Sequence, residues 1–405
     1  MITCVLIPRL ALTTAVGNRR ELLQAPTALA PELGASQQVG EVSPAAEAFG
    51  VHPGMRLGEA LARCPQLTLV PPDPAGVADH WERLLVRLES IGAAVEPERP
   101  GVACFEARGL LRLHGGRAPA GREVDQLAAV LAAARRALRF PARFGVAPSR
   151  FAAVAAATRA RARRAEIVLG GRHEARVYLA PVPVALMRAR PALADLPEAL
   201  ERLGVGSLGE LAALPVAALA DRFGRRGLIA HELAQGGDSA LCPRIAGEQL
   251  REVLELPEAT SGTQLERGLG MLIDRLLARS ERRGRTLRAV VISAGLVETG
   301  GTWRETMVFR EALSDPLRMR LALTPRLAQI PAAAETLRLA VERFGPAASD
   351  QRVLLDDPAA ARAARLREAI RQARAAAGPE AALRVLEVDP DSRFPERRSV
   401  LAPYE

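Results

Sequence analysis

Residues 199–211, with the sequence ALERLGVGSLGEL, predict two short helices joined by a tight turn. Gly204 and Gly206 allow the turn, and Ser207 is placed to cap the second helix, with Glu210 completing a capping box. The free amides at such a helix start bind phosphate oxygens well. The pattern therefore fits a helix-hairpin-helix contact to a DNA backbone, and it also describes an ordinary helical hairpin with a good cap.

The sequence on either side of this helical region, which spans about 180–240, alternates between strand-like and helical patterns. Before it we predict strands at residues 2–7, 102–107, 110–113 and 144–147, and helices at about 77–91, 122–138 and 149–163. After it we predict strands at about 250–256, 286–297, 302–310 and 335–343, and helices at about 263–283 and 316–328. This order predicts an α+β protein of several domains, whose last βαββαβ unit has a ferredoxin-like layout.

The composition is that of a folded chain. The 405 residues are 49% hydrophobic and 25% charged, which excludes a mainly disordered protein. No run approaches the ~18 apolar residues of a membrane span. The apolar N-terminus has no basic leader, so we expect a cytoplasmic protein with no membrane partner. The four cysteines and five histidines lack the spacing of metal ligands, so no zinc site is predicted.

The net charge of +9 invites a nucleic-acid partner. All 55 basic residues are arginines, however, and with abundant Ala, Gly and Pro this also fits the codon bias of a GC-rich genome. The clustered arginines that could follow a phosphate backbone are Arg161, Arg163, Arg164, Arg225, Arg226, Arg282, Arg283 and Arg285. Each of these clusters could equally be a solvated face.

A short apolar motif follows the last predicted domain. Residues 351–355, QRVLL, lie between a polar and an acidic stretch. A glutamine followed by paired large apolar residues in a polar linker is typical of an exposed docking peptide. It is also compatible with a strand end or a first helical turn.

Three of the stretches together resemble the Y-family, or translesion, DNA polymerases. Residues 46–55 (AEAFGVHPGM) are similar to the fingers signature, 144–152 (FGVAPSRFA) to the turn into a palm helix, and 203–211 to the thumb hairpin. The resemblance implies an α+β, multidomain right-hand architecture with a ferredoxin-like palm, small fingers, a helix-hairpin-helix thumb, a βαββαβ little finger and a C-terminal tail. The implied ranges are 1–10 and 75–168 for the palm, 11–74 for the fingers, 169–242 for the thumb, 246–345 for the little finger, and 346–405 for a clamp-binding linker and partner-binding tail.

The residues that would carry polymerase chemistry depart from the family pattern. Nucleotidyl transfer in this family uses two Mg²⁺ ions held by carboxylates of neighbouring palm strands. The resemblance places these ligands at Pro8, Gly101 and Val102, none of which is an acid. No Asp or Glu precedes Glu21, so a shifted register cannot supply the first ligand.

Other positions of the implied active site differ as well. The resemblance aligns the fingers residues that grip the incoming triphosphate with Pro44 and Glu47, and we expect Glu47 to repel a triphosphate. Glu98 and Glu106 are the acids that could replace the missing ligands. Glu98 precedes its predicted strand, and either one would be a lone carboxylate.

These departures resemble the ImuB-type branch, whose members are catalytically empty Y-family relatives in bacterial mutagenesis cassettes. Residues 8–10 and 115–116 and the tail residues 392–398 (SRFPERR) carry this likeness. It implies no enzyme activity and no cofactor or metal. It also implies a scaffold, induced by DNA damage, for mutagenic translesion synthesis and repair.

The implied partners are primer–template DNA, bound without sequence preference, the bacterial sliding clamp, an error-prone replicative-type polymerase and a RecA-like accessory protein. The residues expected to contact DNA are Gly204, Gly206, Ser207, Arg225, Arg226, Arg282, Arg283 and Arg285. The residues expected to form the clamp peptide are Gln351, Leu354 and Leu355.

Two other interpretations remain open. The chain could be an active error-prone Y-family DNA polymerase that uses carboxylates assigned here to the wrong register, although the lack of any acid in the first twenty residues counts against this. It could also be a helix-hairpin-helix DNA-binding protein unrelated to synthesis. That interpretation leaves the fingers and little-finger patterns unexplained.

Overall fold

The structure is a computed structural model that describes residues 1–32, 37–114, 123–161, 163–244, 250–297, 301–347, 362, 366, 369–370 and 379–403. It contains two compact units, Met1–Ala347 and Ala348–Glu405. The domain ranges stay predictions, and the names palm, fingers, thumb and little finger are used below for those ranges. None of the described helices has the length and hydropathy of a membrane span.

The strands of the first unit are β1 (Ile2–Leu6), β2 (Thr27–Leu29), β3 (Thr68–Val70), β4 (Val95–Arg99), β5 (Val102–Glu106), β6 (Arg143–Ala147), β7 (Glu166–Ile167), β8 (Arg251–Thr260), β9 (Arg285–Leu296), β10 (Thr302–Leu313) and β11 (Ala334–Ala347). Its α-helices are α1 (Leu10–Val16), α2 (Pro44–Ala48), α3 (Leu57–Arg63), α4 (Pro74–Glu89), α5 (Arg108–His114), α6 (Glu123–Leu138), α7 (Arg150–Arg159), α8 (Arg172–Leu179), α9 (Leu196–Glu201), α10 (Leu208–Ala213), α11 (Val216–Phe223), α12 (Arg225–Ala234), α13 (Thr263–Ala278) and α14 (Pro316–Leu327). In the second unit, β12 (Leu383–Glu387) pairs with β13 (Ser399–Pro403) and a short helix, α15 (Pro395–Arg398), lies between them in the chain.

The palm is built on a five-stranded sheet in the order β4-β5-β1-β6-β7. Helix α4 lies between β1 and β4 in the chain and α6 between β5 and β6, so the first and third strands of this βαββαβ unit are central. That is the ferredoxin-like arrangement, and the predicted palm fold is confirmed. One face of the sheet shares a core with α4 and α6, and the other shares a core with α7 and the thumb helices.

Helix α7 lies against the middle of the palm sheet because its side chains are small. Residues 152–157 are all buried, and five of these six are alanine. Gly145 of β6 completes the contact, since a Cβ atom there would lie 2.2 Å from the Ala157 amide nitrogen and 2.3 Å from the Ala153 carbonyl oxygen. The two backbones therefore meet directly at this point, which leaves no room for a side chain on the strand.

The thumb contains the predicted helical hairpin. Helix α9 ends at Glu201 and α10 begins at Leu208, with Gly204 at a φ of +83° in the turn. The Ser207 hydroxyl accepts from the Glu210 amide, and the Glu210 carboxylate accepts from the Ser207 amide. The predicted cap and capping box are confirmed.

The little finger has the predicted βαββαβ order, but its strand order is not ferredoxin-like. The sheet runs β10-β9-β11-β8, which places the second and fourth strands in the centre in place of the first and third. Alternating apolar residues locate the strands along the chain, but they do not determine which strands pair. Helices α13 and α14 cover one face of this sheet through a shared apolar core.

The strand predicted at residues 110–113 is wrong, because these residues belong to helix α5. Leu110 is buried in the palm core, whereas Leu113 is 67% exposed. A short apolar run fits a strand and a helix turn equally well, and here the chain turns into a helix directly after β5.

The contact between α7 and the palm sheet makes a testable prediction. Replacing Gly145 with alanine should lower the free energy of unfolding by about 3 kcal/mol, because the new methyl group overlaps backbone atoms of α7. The matched control is Gly58→Ala in helix α3, where a Cβ meets nothing within 4 Å. This control should be neutral or stabilise by up to about 1 kcal/mol. Denaturant unfolding of both variants measures the difference, and equal stabilities would contradict the close contact.

Candidate nucleic-acid interface and palm cleft

The structure brings together the three positions at which the resemblance expects metal ligands. In the antiparallel pair β1–β5, Leu6 lies opposite Val102, and the Ile7 amide donates to the Gly101 carbonyl oxygen at 2.7 Å. Pro8 follows directly at the end of β1. Carbonyl groups, a proline ring and an apolar side chain thus occupy the edge of the palm where the family carries carboxylates.

The backbone at Gly101 does not suit an acidic residue. Its φ is +87°, a conformation that residues with a side chain rarely adopt. A Cβ atom on Gly101 would lie 2.9 Å from the Ile7 carbonyl oxygen. An aspartate at this position would therefore strain the turn that joins β4 to β5.

Glu106 cannot replace the missing ligands at this edge. It lies opposite Ile2, at the start of β1, whereas Pro8 follows the end of that strand. Four residues of extended chain separate Glu106 from Val102, which is about 13 Å. Glu106 is also exposed, so the structure places it at the other end of the sheet.

Glu98 is held in a buried cluster of charges. Its carboxylate, 9% exposed, lies 3.4 Å from Arg150 Nε and 3.2 Å from an Arg190 guanidinium nitrogen. Arg150 also pairs with Glu96 and Asp238, and Arg190 lies 2.7 Å from Asp238. Three carboxylates therefore share two guanidinium groups at the junction of β4, α7 and the end of the thumb.

Burial is the main effect on the Glu98 carboxyl. It raises the pKa of Glu98 above its ordinary value, although Arg190 and Arg150 act in the opposite direction. The neighbouring Asp238 and Glu96 raise the pKa further. The ionised form of Glu98 is thus tolerated in this cluster and not favoured by it.

Taken together, the residues at the palm edge do not fit a pair of Mg²⁺ ions. Hard divalent cations need several oxygen ligands, usually with carboxylates among them. Pro8, Gly101 and Val102 supply no side-chain oxygen, and both candidate replacements are placed elsewhere. Across the described residues, no group of three or more His, Cys, Asp and Glu side chains is arranged to hold a metal ion.

Glu47 does not repel an anion in the way its charge alone suggests. Its carboxylate pairs with Arg9 at 2.6 Å, and Arg9 Nε also donates to the Val42 carbonyl oxygen at 2.7 Å. Arg9 adopts a left-handed φ of +54° directly after Pro8. The two residues thus neutralise each other and tie the fingers to the end of β1, across the cleft where the family holds a triphosphate.

The amides of the thumb hairpin are not free, which corrects the expectation from sequence. The Gly206 and Ser207 amides donate to the Glu210 carboxylate at 2.7 and 3.0 Å. The Gly204 amide donates to the Glu201 carbonyl oxygen at 3.0 Å. The capping box and the phosphate site therefore compete for the same donors, and a phosphate would have to displace an exposed carboxylate.

Two of the predicted DNA-contacting arginines lie on the surface of thumb helix α12. Arg225 and Arg226 are exposed in the first turn of α12. The C-terminal end of α12 contacts α10, where Gln235 Nε2 donates to the Ala212 carbonyl oxygen at 2.8 Å. Ten residues of helix, about 15 Å, separate the two ends. The two arginines are thus available to a ligand at a distance from the contact between α12 and α10.

The arginines of the little-finger turn have partners within their own turn. Arg282 donates to the Arg285 carbonyl oxygen at 3.1 Å, and Arg285 donates to the Arg282 carbonyl oxygen at 3.2 Å. The Arg285 guanidinium also lies 3.8 Å from the centroid of the Phe344 ring. Arg283 is exposed at a left-handed φ of +50°. Arg282 and Arg285 therefore stabilise the turn between α13 and β9.

The clamp-peptide residues Gln351, Leu354 and Leu355 lie outside the described residues.

Sequence reasoning missed the residues that join the thumb and linker to the palm. Asp238 accepts from the Phe151 amide at 2.9 Å and so caps α7. Arg244 pairs with Glu82 and Glu89 of α4 at 2.6 Å each. These partners are more than eighty residues apart, and no local pattern marks them. The palm-turn motif at 144–152, which contains Arg150, is the nearest available signal.

Comparisons with known proteins agree with this architecture. Residues 11–158 match the model of the impB/mucB/samB family. The DNA polymerase IV of Dehalococcoides mccartyi strain CBDB1 is 26% identical over 332 residues, which is 81% of this chain and 82% of that protein. The chain is thus similar to proteins of this family over most of its length. The Caulobacter vibrioides DNA polymerase IV is 28% identical to this chain over 193 residues, or 47% of this chain and 45% of that protein.

Two solved structures are also similar to this chain. A Dbh ternary complex is 14% identical and covers 85% of this chain and 100% of its own, with a TM-score of 0.46. A Y-family DNA polymerase chimera of Dbh and Dpo4 is 14% identical and covers 85% of this chain and 99% of its own, with a TM-score of 0.49.

The charge cluster predicts opposite effects for two of its acids. Glu98→Gln should be at least as stable as the wild type at pH 7, because it removes a carboxylate whose pKa the folded state raises. This advantage should shrink as the pH falls and Glu98 becomes protonated in the wild type. Asp238→Asn should lose about 3 kcal/mol, because it leaves two buried arginines short of a partner and weakens the α7 cap.

Denaturant unfolding of both variants between pH 4 and pH 8 tests this prediction. A Glu98→Gln variant that is less stable than the wild type at pH 7, and equally so at every pH, would contradict the raised pKa. The exposed Glu106→Gln is the charge-matched control and should not alter stability.

Proposed function

We propose that this chain is a non-catalytic, DNA-binding scaffold for translesion synthesis. The observation that carries the proposal is the juxtaposition of Pro8, Gly101 and Val102 at the edge of the palm, where the family holds its metal ions. A polymerase active site needs carboxylates there, and the turn at Gly101 has no room for one. Arg9, which follows Pro8 directly, is paired with Glu47 of the fingers.

Binding to DNA is supported by the relationship to proteins named DNA polymerase IV and by the basic surface of the chain. Exposed arginines such as Arg225 and Arg226 suit contacts to phosphates, which position a protein on DNA without reading its sequence. The thumb hairpin adds a contact when Glu210 gives up the amides of Gly206 and Ser207. Primer–template DNA is accordingly the proposed ligand.

The proposed protein partners follow from the resemblance to the ImuB-type branch. Gln351, Leu354 and Leu355 form the peptide that binds the sliding clamp, and the tail recruits an error-prone replicative-type polymerase and a RecA-like accessory protein. A clamp peptide on a DNA-binding protein raises the effective concentration of each site for the other. The proposed location is the cytoplasm, where all these partners are found.

A second candidate function is an active error-prone Y-family DNA polymerase. The printed names of the relatives favour it, since both that are described above are DNA polymerase IV proteins. It requires a metal site built from other acids, and Glu98 is the nearest to the palm edge. The buried ion pairs of Glu98 count against this role.

Primer extension by the purified chain separates the two functions. With Mg²⁺ or Mn²⁺ and all four nucleotides, we expect binding to a primer–template and no extension, because the palm edge lacks carboxylates. The DNA polymerase IV of Dehalococcoides mccartyi serves as the positive control on the same substrate. Extension that is lost in Glu98→Gln or Glu106→Gln would show that a metal site has been rebuilt and would overturn the scaffold proposal.

The DNA and clamp contacts should be separable by mutation. Glu210→Ala should raise DNA affinity several-fold, because it removes a negative charge and frees the Gly206 and Ser207 amides for phosphate. It should leave clamp affinity unchanged. A triple variant with alanine in place of Gln351, Leu354 and Leu355 should lose clamp binding and retain DNA binding. Fluorescence anisotropy with labelled DNA and surface-immobilised clamp measures both affinities.

Glu174→Ala is the matched control for the hairpin variant. Glu174 accepts from the Gly171 amide at 2.7 Å at the start of α8, so its loss removes an equivalent cap and charge at another thumb helix. If Glu210→Ala and Glu174→Ala have the same effect on DNA affinity, the hairpin is only structural. Unchanged clamp affinity in the triple variant would refute the clamp peptide.

A further inference from the structure

A cavity of about 800 Å³ lies between palm helix α4 and the face of the little-finger sheet that α13 and α14 leave uncovered. On the palm side it is lined by residues of α4, and on the other side by residues of β8, β9, β10 and β11. Its charged lining consists of six arginines and three carboxylates: Arg83, Arg251, Arg283, Arg285, Arg304, Arg338, Asp79, Glu82 and Glu342. Arginines therefore outnumber carboxylates in a cavity that is partly open to solvent.

The carboxylates of the cavity are already engaged or lie at its edge. Asp79 accepts from Arg304 at 2.9 Å and lies 3.6 Å from Arg338. Glu82 pairs with Arg244 of the linker at 2.6 Å. Glu342 is exposed. Asp79 and Glu82 are thus paired with arginines other than Arg83 and Arg251.

Arg83 on the palm side and Arg251 on the little-finger side both line the cavity and are half-buried. Within the described part of the chain, neither Arg83 of α4 nor Arg251 of β8 has an acid within 4 Å. Arg338 lies beside them on β11, where it is opposite Val253 in the neighbouring strand. Its Nε is buried and has no hydrogen-bond acceptor among the described residues.

The arginines around α4 affect the pKa of two of its residues. Burial, and then the charges of Arg338 and Arg251, lower the pKa of Arg83 to about 10. Burial and the charges of Arg83, Arg87 and Arg338 lower the pKa of the neighbouring His80 to about 4. Nearby positive charge therefore contributes to lowering the pKa of both groups, and His80 is neutral at physiological pH.

We propose that this cavity binds a phosphate-bearing ligand, held between Arg83 of the palm and Arg251 and Arg338 of the little finger. Guanidinium groups present paired donors that match phosphate oxygens, and convergence of three of them favours a multiply charged group over a single carboxylate. A ligand in this place bridges palm and little finger and fixes one on the other. The inference does not depend on DNA binding by the thumb, because none of the three arginines belongs to the hairpin or to α12.

The chemistry is shared by two sources, a free polyphosphate and the backbone of a nucleic acid. Pyrophosphate is therefore the probe, titrated into the full-length chain by isothermal calorimetry at low and at moderate salt. We expect saturable binding that weakens with salt. Arg83→Gln and Arg251→Gln should each weaken it about tenfold, because each removes a charge-assisted hydrogen bond to the same ion.

Arg275→Gln is the matched control, since it removes the same charge from an exposed position on α13, on the other side of the sheet. It should bind pyrophosphate like the wild type. The proposal is overturned if the wild type shows no saturable binding, or if Arg251→Gln and Arg83→Gln both bind as tightly as Arg275→Gln. Using two variants on different domains guards against loss of folding in one of them.

Competition identifies the source. A short single-stranded oligonucleotide that displaces pyrophosphate from the wild type, and displaces it less well from Arg251→Gln, assigns the site to a nucleic-acid backbone. Simultaneous binding of both assigns it to a free polyphosphate. A failure of the DNA-binding proposal would leave pyrophosphate binding intact, so the two outcomes can be told apart.

Discussion

The rest of the structure depends on the guanidinium group of Arg150. Arg150 is 8% exposed at the start of α7. Its guanidinium group pairs with Glu96 and Glu98 of β4 and with Asp238 at the end of the thumb. An arginine at such depth is stable only with its charge matched and its donors satisfied. Because α7 also meets β6 backbone to backbone, the cluster fixes the end of the thumb against the palm sheet.

This structural role of the acids limits the chemistry of the palm. A carboxylate that stabilises buried arginines is not free to hold a metal ion as well, since either arrangement needs its negative charge. Glu98, the acid nearest the edge formed by Pro8 and Gly101, is committed to Arg150 and Arg190. The junction between palm and thumb therefore holds, paired with two arginines, an acid that a catalytic palm would need elsewhere.

Sequence reasoning located what depends on neighbours in the chain. The capping box at Ser207 and Glu210 and the element order of the little finger follow from local patterns, and each is present. The strand order of the little finger, the Arg9–Glu47 pair and the Arg150 cluster join distant residues, so no local pattern could supply them. The prediction that the hairpin amides are free is wrong for a different reason. Glu210, which completes the predicted capping box, already accepts from the Gly206 amide.

The net charge of the chain says less about ligands than the pairing of its arginines does. Some basic residues hold domains together by pairing with buried or half-buried carboxylates, as Arg150, Arg190 and Arg244 do. Arg83 and Arg251 sit at a similar depth, and in the described structure no carboxylate lies within ion-pair distance of either. Codon bias can place arginines anywhere on a surface, but leaving two of them partly buried and uncompensated costs free energy. Such a cost persists in a folded protein when a bound anion offsets it, which is why the cavity beside α4, and not the surface charge as a whole, points to a ligand.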